Sequence, residues 1–373
     1  MIPKKKTKFT TNPSSDREKK NLLFLNLIQK HKPTSRSELS KLTDINAVTV
    51  SNYINGYLKK GLILERGYDI SSGGRRPELI ELNKGWGYGI GISVCKDRIK
   101  GVLADLDMEV LTDGSIEGYA RENLKSFIDE ILKKLLDSSK IDKTQVKHIG
   151  IGVSGDVLAD IIKVKDLIET ETGVPVLIAE SALCAAFGEK SLNPDVREAG
   201  RFIYIFGDVG QGVFINNNEF FEPGDDKNGY AYLKSWGQGL SIANEAKTIV
   251  ERGMGTNIID IAGGAIERIT LETVIKATAE HDEMAVDLVK MAGMNLGVRI
   301  AYLINLFEPE VIIIGGGIEK AGNVFFDPLK ASIDRFILRR MLDKVRLVPA
   351  ILGEDACVKG GASLAIRETF IEI

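Results

Sequence analysis

The residues in this chain that could most clearly bind a small molecule are the glycines of its glycine-rich turns. Gly207 and Gly212 bracket one such turn, and the run Gly315-Gly316-Gly317 directly follows the apolar segment 311–314. Glycine turns at the edge of a sheet leave main-chain N–H groups open, and these groups suit phosphate or sugar oxygens. Most glycine clusters only form turns, so a binding role for these glycines depends on the helices and strands around them.

A second set of polar residues lies in segment 34–58 and has the pattern of a helix-turn-helix. Ser35 is placed to cap a helix over 35–42 with Leu39 and Leu42 facing inward, and the turn 44–46 follows. Asn46 then caps a second helix. We expect this helix to pack through Val48, Val50, Ile54, Tyr57 and Leu58. The side chains predicted to meet DNA from these helices are Ser35, Arg36, Asn46, Thr49, Ser51, Asn52 and Tyr53.

The next segment has the pattern of a wing. Two short strands are predicted at 62–66 and 78–82, and the loop between them ends in Gly73-Gly74-Arg75-Arg76-Pro77. The glycines allow close approach to DNA, and the arginines can enter a narrow minor groove or pair with phosphates. The alternative is a helical hairpin with a solvated basic loop that contacts protein.

Charge divides the chain at the same place. The whole sequence has 49 basic and 52 acidic residues, yet residues 1–84 contain 17 basic and 8 acidic ones. A basic head on an acidic body is the pattern expected when only the head meets a polyanion such as double-stranded DNA.

Length and segment patterns predict several domains. We expect a flexible basic arm at 1–16, a winged helix-turn-helix at 17–84, a first α/β lobe at 85–200 that also takes part of the C-terminal helix, and a second at 201–373. No run is long and apolar enough to span a membrane, and the N-terminus does not resemble a signal peptide. Cys95, Cys184 and Cys357 are too widely spaced for a disulfide framework or a metal cluster, so a reducing cytoplasm is expected.

Several segments resemble the ROK family (repressors, open reading frames, kinases), specifically its repressor branch, over about residues 17–370. The matching segments are GGRRP at 73–77, LADLDMEVL at 103–111, GIGVSGDV at 150–157, EPEVIIIGGGIEKAG at 308–322 and LGEDACVKGGASLA at 352–365. The branch includes the xylose and N-acetylglucosamine repressors. The resemblance implies a two-lobed actin-like (ribonuclease H-like) ATPase and sugar kinase fold behind a DNA-binding head.

The chain departs from the family where a kinase needs its catalytic groups. Ser93 to Asp97 stand where ROK kinases have DIGGTK, Ser181 stands at the general-base Asp, and Glu180 at the preceding sugar-binding Asn. A serine hydroxyl cannot accept a proton at neutral pH unless another base activates it. The turn 207–212 is also one residue shorter than the family's second phosphate loop and carries Asp208. We therefore expect neither ATP nor magnesium as cofactors.

A metal is not expected either. The family's structural zinc uses one His and three Cys, whereas residues 229–245 contain neither type, so we predict no zinc.

What remains by resemblance is a sugar site with a vestigial nucleotide site. The implied sugar contacts are Gly155, Glu180, Ser181, Gly210 and Tyr230, and the implied nucleotide contacts are Gly207, Gly212, Gly315, Gly316 and Gly317. The leading hypothesis is a catalytically inactive transcriptional repressor that binds operator DNA as a homodimer and responds to a sugar or sugar phosphate. The alternatives are a working sugar kinase with a DNA-binding head, and a DNA-binding dimer that ignores ligands because its sugar site has decayed.

Overall fold

The structure is a computed structural model that describes residues 12–68, 78–95, 98–153, 157–206, 211–216, 219–220, 241–341 and 343–373. The described chain divides into two compact units. One comprises residues 1–191 together with 357–373, and the other comprises 192–356. Within the described residues no helix is both long and apolar enough to cross a membrane.

The first unit begins with three helices and a small antiparallel sheet, which we call the head. The helices are α1 (Asp16–Lys30), α2 (Arg36–Thr43) and α3 (Ala47–Lys59). The strands are β1 (Thr34–Ser35), β2 (Ile63–Tyr68) and β3 (Glu78–Leu82), in the order β1-β3-β2. The core of the head consists of fully buried apolar side chains from all three helices and the sheet, including Phe24, Leu25, Ile28, Leu39, Val50, Ile54, Leu62 and Ile80.

Helix caps explain where these helices begin. The Ser15 hydroxyl accepts a hydrogen bond from the Glu18 N–H while Glu18 reaches back to Ser15, which makes a full capping box. The Ser35 hydroxyl accepts from the Glu38 N–H, and the Asn46 side chain accepts from the Thr49 N–H, as the sequence predicted.

Two apolar residues that the sequence assigned to the core of the head are exposed. Leu42 is 49% exposed and Val48 is 71% exposed, so the predicted inward packing of both was wrong. Val50, Ile54 and Tyr57 fill the buried face of α3, and Val48 lies outside that stripe because it is two residues before Val50.

A five-stranded mixed sheet follows in the first unit, in the order β6-β5-β4-β7-β8. Its strands are β4 (Tyr88–Val94), β5 (Arg98–Asp105), β6 (Val110–Glu117), β7 (Val146–Val153) and β8 (Val176–Glu180). The pairs β4–β5 and β5–β6 are antiparallel, whereas β4, β7 and β8 run parallel. The carboxyl ends of β4, β7 and β8 therefore lie along one edge.

Helices α4 (Leu124–Ser139), α5 (Leu158–Thr172) and α6 (Ser181–Leu192), with the last helix of the chain (Ala356–Glu372), complete the first unit. The last helix lies directly on the sheet. A Cβ at Gly91 would be 2.0 Å from the Val358 carbonyl oxygen, and one at Gly150 would be 2.1 Å from that of Gly361. Only glycine permits this approach.

The second unit contains another five-stranded sheet in the order β11-β10-β9-β12-β13. Its strands are β9 (Arg201–Phe206), β10 (Gln211–Asn216), β11 (Glu219–Phe220), β12 (Val311–Gly315) and β13 (Arg346–Pro349). Its helices are α7 (Pro194–Arg197), α8 (Ile242–Glu251), α9 (Ile258–Ile261), α10 (Leu271–Ala279), α11 (Glu283–Phe307) and α12 (Asn323–Phe336), and the last helix of the chain is α13.

The sequence predicted a helix over 360–367, and α13 extends beyond it at both ends. Helices α5, α7, α9 and α12 were not predicted. All of α13 except its first residue, Ala356, belongs to the first unit.

Candidate functional site

The exposed side of α3 is the first candidate surface. Val48, Asn52, Asn55 and Lys59 are all exposed and recur every three or four residues, so they share one face of the helix. Val50, Ile54 and Tyr57 occupy the opposite, buried face. The Tyr57 hydroxyl donates a hydrogen bond to the Asn21 side chain at 2.9 Å, which anchors α3 to α1, and burial raises the pKa of Tyr57.

Only some of the predicted DNA-contacting residues are exposed on this face. Asn52 is exposed in the middle of the face, and Asn46 is exposed at its N-terminal end, while Thr49 and Ser51 are half-buried beside it. Tyr53 instead packs its ring 5.2 Å from that of Phe24 and 6.2 Å from that of Tyr57, so it contributes to the junction between α1 and α3.

Arg36 links the elements of the head to one another. Its guanidinium pairs with the Glu78 carboxylate at 2.7 Å and donates to the Asn55 side chain at 3.2 Å. Ser35 is buried as the cap of α2. The predicted wing residues Gly73, Gly74, Arg75 and Arg76 lie outside the described residues.

Sequence reasoning missed Val48, Asn55 and Lys59 as members of this surface. Val48 was expected in the core, although its distance of two residues from Val50 is the signal that could have placed it outside. An exposed apolar methyl next to amide side chains is the kind of contact that recognises the methyl group of thymine.

Several contacts tie the head to the rest of the first unit. Lys32 pairs with Asp107 at 2.9 Å, and the Gln29 side chain donates to the Leu106 carbonyl at 2.5 Å. Arg17 of α1 and Lys60, the residue after α3, both donate to the main-chain oxygen of Ile373, the residue after α13. The head is therefore joined to the turn after β5 and to the end of α13.

The second candidate site lies at the carboxyl edge of the parallel strands in the first unit. Ser93 is in β4, Glu180 ends β8 and Ser181 begins α6. Both Glu180 and Ser181 are half-buried. In open α/β sheets, ligands bind outside this edge. Glu180 and Ser181 lie at this edge, and their contact with a sugar stays a prediction, whereas Gly155, Gly210 and Tyr230 lie outside the described part.

The thiols of Cys357 and Cys184 both lie next to Gly152 of β7. Hydrogen bonding with Cys184, and with the Ser93 and Ser181 hydroxyls, lowers the pKa of Cys357, although burial acts in the opposite direction. Cys95 is also near, with its Sγ 3.8 Å from the Ser93 hydroxyl oxygen. Cys95 and Cys357, which are far apart in sequence, therefore both lie near Ser93, and Cys184 lies next to Cys357.

The described glycines of the predicted nucleotide site lie in the second unit. Gly212 is in β10, Gly315 ends β12, and Gly316 and Gly317 have φ angles of 82° and 101°. The Gly317 N–H donates to the Glu319 carboxylate at 2.8 Å. A donor that could hold a phosphate oxygen is thus occupied by an acidic side chain of the same turn. Gly207 lies outside the described residues.

Metal ligands do not gather in the part of the chain that the structure describes. There, no group of three or more His, Cys, Asp and Glu side chains is placed to hold a metal ion. Most of the segment that corresponds to the family's zinc site, residues 229–240, lies outside that part, so the predicted absence of zinc stays a prediction.

Comparison with known proteins relates part of the chain to one family. Residues 234–368 match the model of the ROK family. The chain is similar over nearly its whole length to the xylose repressor of Bacillus spizizenii, at 26% identity over 371 residues that cover 94% of this chain and 95% of the relative.

Solved structures show the fold. A ROK family transcriptional regulator, a homologue of the Escherichia coli MLC protein, covers 95% of this chain and 98% of its own at a TM-score of 0.70 and 20% identity. A ROK family glucokinase from Streptomyces griseus, solved with glucose and AMPPNP, covers 74% of this chain and 99% of its own at a TM-score of 0.59 and 22% identity. These likenesses show that the chain has the mixed α/β, actin-like sugar kinase fold.

Proposed function

We propose that this ROK chain is a DNA-binding transcriptional repressor whose affinity for its operator responds to a sugar. The similarity to a xylose repressor over 94% of the chain supports the proposal, because it includes the head as well as the ROK domain. The observation that carries it is the exposed face of α3, where Val48, Asn52 and Asn55 are presented by a helix whose opposite face is fully packed.

The order of elements in the head supports the proposal of a winged helix-turn-helix. Helices α2 and α3 are joined by the short turn 44–46, in which Asp44 adopts a left-handed φ of 55°, and the hairpin β2–β3 follows. In this arrangement α3 enters the major groove and the loop between β2 and β3, with Arg75 and Arg76, lies against the adjacent backbone or minor groove. One helix reads only a few base pairs, so we propose that two chains bind as a homodimer to two half-sites.

A direct test uses the Asn52→Ala variant. Binding sites are first selected from a random double-stranded DNA library with the wild-type chain, and affinities are then measured at fixed salt. The loss of one amide contact to a base edge is worth about 1 to 3 kcal/mol, or roughly five- to 150-fold in affinity. Asn295→Ala is the matched control, because Asn295 is exposed on α11 in the second unit and has the same side chain.

Two results would count against DNA binding through α3. One is equal affinity of Asn52→Ala and wild type for the selected site, and the other is failure of the selection to enrich any sequence. A half-site without two-fold repetition would count against the dimer alone.

The sugar response is proposed for the carboxyl edge of β4 and β8, with Glu180 and Ser181 as ligands of sugar hydroxyls. The Ser181 hydroxyl bonds to the Cys357 thiol, and we propose that it does not serve as a general base, so that the site binds sugar without phosphorylating it. The Glu319 carboxylate on the Gly317 N–H supports the same view, since it repels a phosphate.

Thermal unfolding in the presence of a panel of sugars tests this part. A sugar at a hundredfold excess over its Kd stabilises the folded chain by about 2.7 kcal/mol. The panel contains xylose, glucose, N-acetylglucosamine, their phosphates and magnesium-ATP. Stabilisation by one sugar that is lost in Glu180→Ala supports the site. Stabilisation by magnesium-ATP together with phosphorylation of a sugar would show a kinase instead.

The structure also offers a route between the two sites. The first turn of α13 carries Cys357, which lies against Cys184 of α6, and the helix ends next to Ile373. The main-chain oxygen of Ile373 accepts hydrogen bonds from Arg17 and Lys60 of the head. We propose that sugar binding shifts α13 and thereby α3. Replacing both Arg17 and Lys60 with Ala is then expected to leave the sugar-induced thermal shift intact and to weaken the effect of sugar on DNA affinity. A full sugar effect in this variant would exclude the route.

A further inference from the structure

Two cysteine side chains meet at the carboxyl edge of the first unit's sheet. Cys184 is fully buried in α6, and Cys357 is the second residue of α13 and is partly exposed. A Cβ at Gly152 in β7 would be 2.5 Å from the sulfur of Cys357 and 2.9 Å from the sulfur of Cys184. Both sulfur atoms therefore cover the same point of the strand, and glycine at 152 gives them the space.

The backbones that carry these thiols are also held against each other. A Cβ at Gly360, one turn after Cys357, would be 1.7 Å from the carbonyl oxygen of Cys184 and 2.9 Å from its Cα. The first turn of α13 thus packs directly on the main chain of α6. A disulfide requires Cα atoms about 4.4 to 6.8 Å apart. Because Gly360 has no side chain, α13 can lie directly on α6, and this contact brings the backbones of the two cysteines toward each other.

The two thiols differ in chemical character. Hydrogen bonding with Cys184, and with the Ser93 and Ser181 hydroxyls, lowers the pKa of Cys357, although burial acts in the opposite direction. Cys357 also lies in the first turn of a 17-residue helix, where the main-chain N–H groups favour a negative charge. The same hydrogen bond together with burial raises the pKa of Cys184, so that thiol stays protonated.

We propose that Cys357 and Cys184 form a reversible oxidation site for a hydroperoxide, with Cys357 as the reacting thiolate and Cys184 as the resolving thiol. Oxidation-sensitive cysteines have this combination: a partly exposed thiolate and a second thiol within reach. Intracellular disulfides of this kind are transient, which is compatible with a reducing compartment. The proposal concerns a site of chemical modification and does not depend on DNA or sugar binding.

The chemistry balances with hydrogen peroxide as the only oxidant. The Cys357 thiolate attacks one peroxide oxygen, so that an S–O bond forms and the O–O bond breaks. The hydroxide that leaves takes up a proton and becomes water, and Cys357 becomes a sulfenic acid. The Cys184 sulfur then attacks the Cys357 sulfur, and the hydroxyl departs with the proton of Cys184 as a second water. Two thiols are oxidised to one disulfide while one peroxide is reduced to two waters.

Formation of the disulfide removes the thiolate to which Ser93 and Ser181 donate. The two hydroxyls at the carboxyl edge then need other acceptors, and α13 becomes covalently tied to α6 at its first turn. The residues of α13 that follow Cys357 contact β4 at Gly91 and β7 at Gly150. Oxidation therefore changes the hydrogen bonding of the candidate ligand site without requiring a new fold.

The test uses the full chain, fully reduced and freed of reductant. Hydrogen peroxide is added in slight excess, and the products are mapped by mass spectrometry after alkylation of the remaining thiols. The expected product has lost two hydrogens and contains one crosslink between the peptides of Cys184 and Cys357, and dithiothreitol restores the free thiols. Cys95→Ser is the matched control, because Cys95 is the neighbouring thiol near Ser93, and it is expected to form the same crosslink at the wild-type rate.

Two further variants separate the roles of the thiols. Cys184→Ser is expected to stop at the sulfenic acid of Cys357, which dimedone labels, and Cys357→Ser is expected to slow peroxide consumption at least ten-fold. Circular dichroism and thermal unfolding of the reduced variants establish that each is folded. Should Cys184→Ser not fold, diamide oxidation of the wild type still tests the pairing. A disulfide that includes Cys95, over-oxidation without a crosslink, or equal reactivity in Cys357→Ser would each overturn the proposal.

Discussion

The head and the carboxyl edge of the first unit's sheet differ in how their structure is specified. In the head, each helix begins at a cap formed with a residue three positions away, and the buried face of α3 repeats at helical spacing. At the sheet edge, Ser93, Ser181 and Cys357 come from β4, α6 and α13, which are separated in sequence by 88 and 176 residues. The helices of the head are thus specified by residues close in sequence, whereas the sheet edge is formed by residues that only long-range packing brings together.

The largest effect that tests this contrast is expected in the core of the head. Ile54 is fully buried in α3, so Ile54→Ala should lower the free energy of unfolding by about 2 to 5 kcal/mol. Val48→Ala, six residues earlier on the same helix, should change it by no more than about 0.5 kcal/mol because Val48 is 71% exposed. Urea denaturation measures both. A similar cost for the two variants would mean that Val48 is buried by a contact that the isolated chain lacks.

The second test applies to the sheet edge. In Gly152→Ala, the added methyl would meet the sulfurs of Cys357 and Cys184 at 2.5 and 2.9 Å, and overpacking of this kind costs about 1 to 3 kcal/mol. Gly114→Ala is the control in the same sheet, where the methyl would meet only the flexible side chain of Lys134 at 3.2 Å. The comparison of the two urea midpoints is decisive. If Gly152→Ala were as stable as Gly114→Ala, the thiols could not be packed against β7.

These two regions show which parts of the molecule the sequence could predict. The caps at Ser35 and Asn46 and the strands β2 and β3 of the head follow from local patterns. Helix α5 was missed because it starts without a side-chain cap and its buried residues, which include Lys165, give little apolar periodicity.

The candidate site was harder to predict for a physical reason. The serines that replace the family's carboxylates could be found by resemblance, but no local pattern relates Cys357 to Ser93 or Cys184. Their meeting depends on Gly91, Gly150 and Gly360, which let α13 approach the sheet and α6. Cysteine spacing alone argued against a disulfide framework or a metal cluster, and it could not show that the fold brings the thiols of Cys184 and Cys357 together.

A smaller effect should distinguish the cap of α3 from an ordinary surface residue. Asn46→Ala removes the acceptor for the Thr49 N–H at 2.9 Å and should cost about 1 kcal/mol of stability. The control is Asn295→Ala, which removes the same amide from an exposed position of α11 and should stay within about 0.5 kcal/mol. Thermal unfolding of both variants gives the difference. Equal values would mean that the helix does not depend on its cap and that its position is set by tertiary packing.

The smallest effect concerns the junction between the head and the sheet, and it depends on pH. Burial raises the pKa of Asp105, although the N–H groups of Glu109 and Asp107 and the charge of Lys84 act in the opposite direction. An acid whose pKa is higher in the folded chain than in the unfolded chain binds more protons when folded, so its contribution to stability falls as pH rises from the ordinary pKa to the raised one. Asp105→Asn keeps the acceptor oxygen for both N–H groups and removes the titration. The stability of the variant relative to wild type should therefore increase as pH rises through that window, as measured by urea denaturation at a series of pH values. A difference that does not change with pH would mean that Lys84 and the two N–H groups compensate fully for burial, and that this junction is as insensitive to protonation as the packed core of the head.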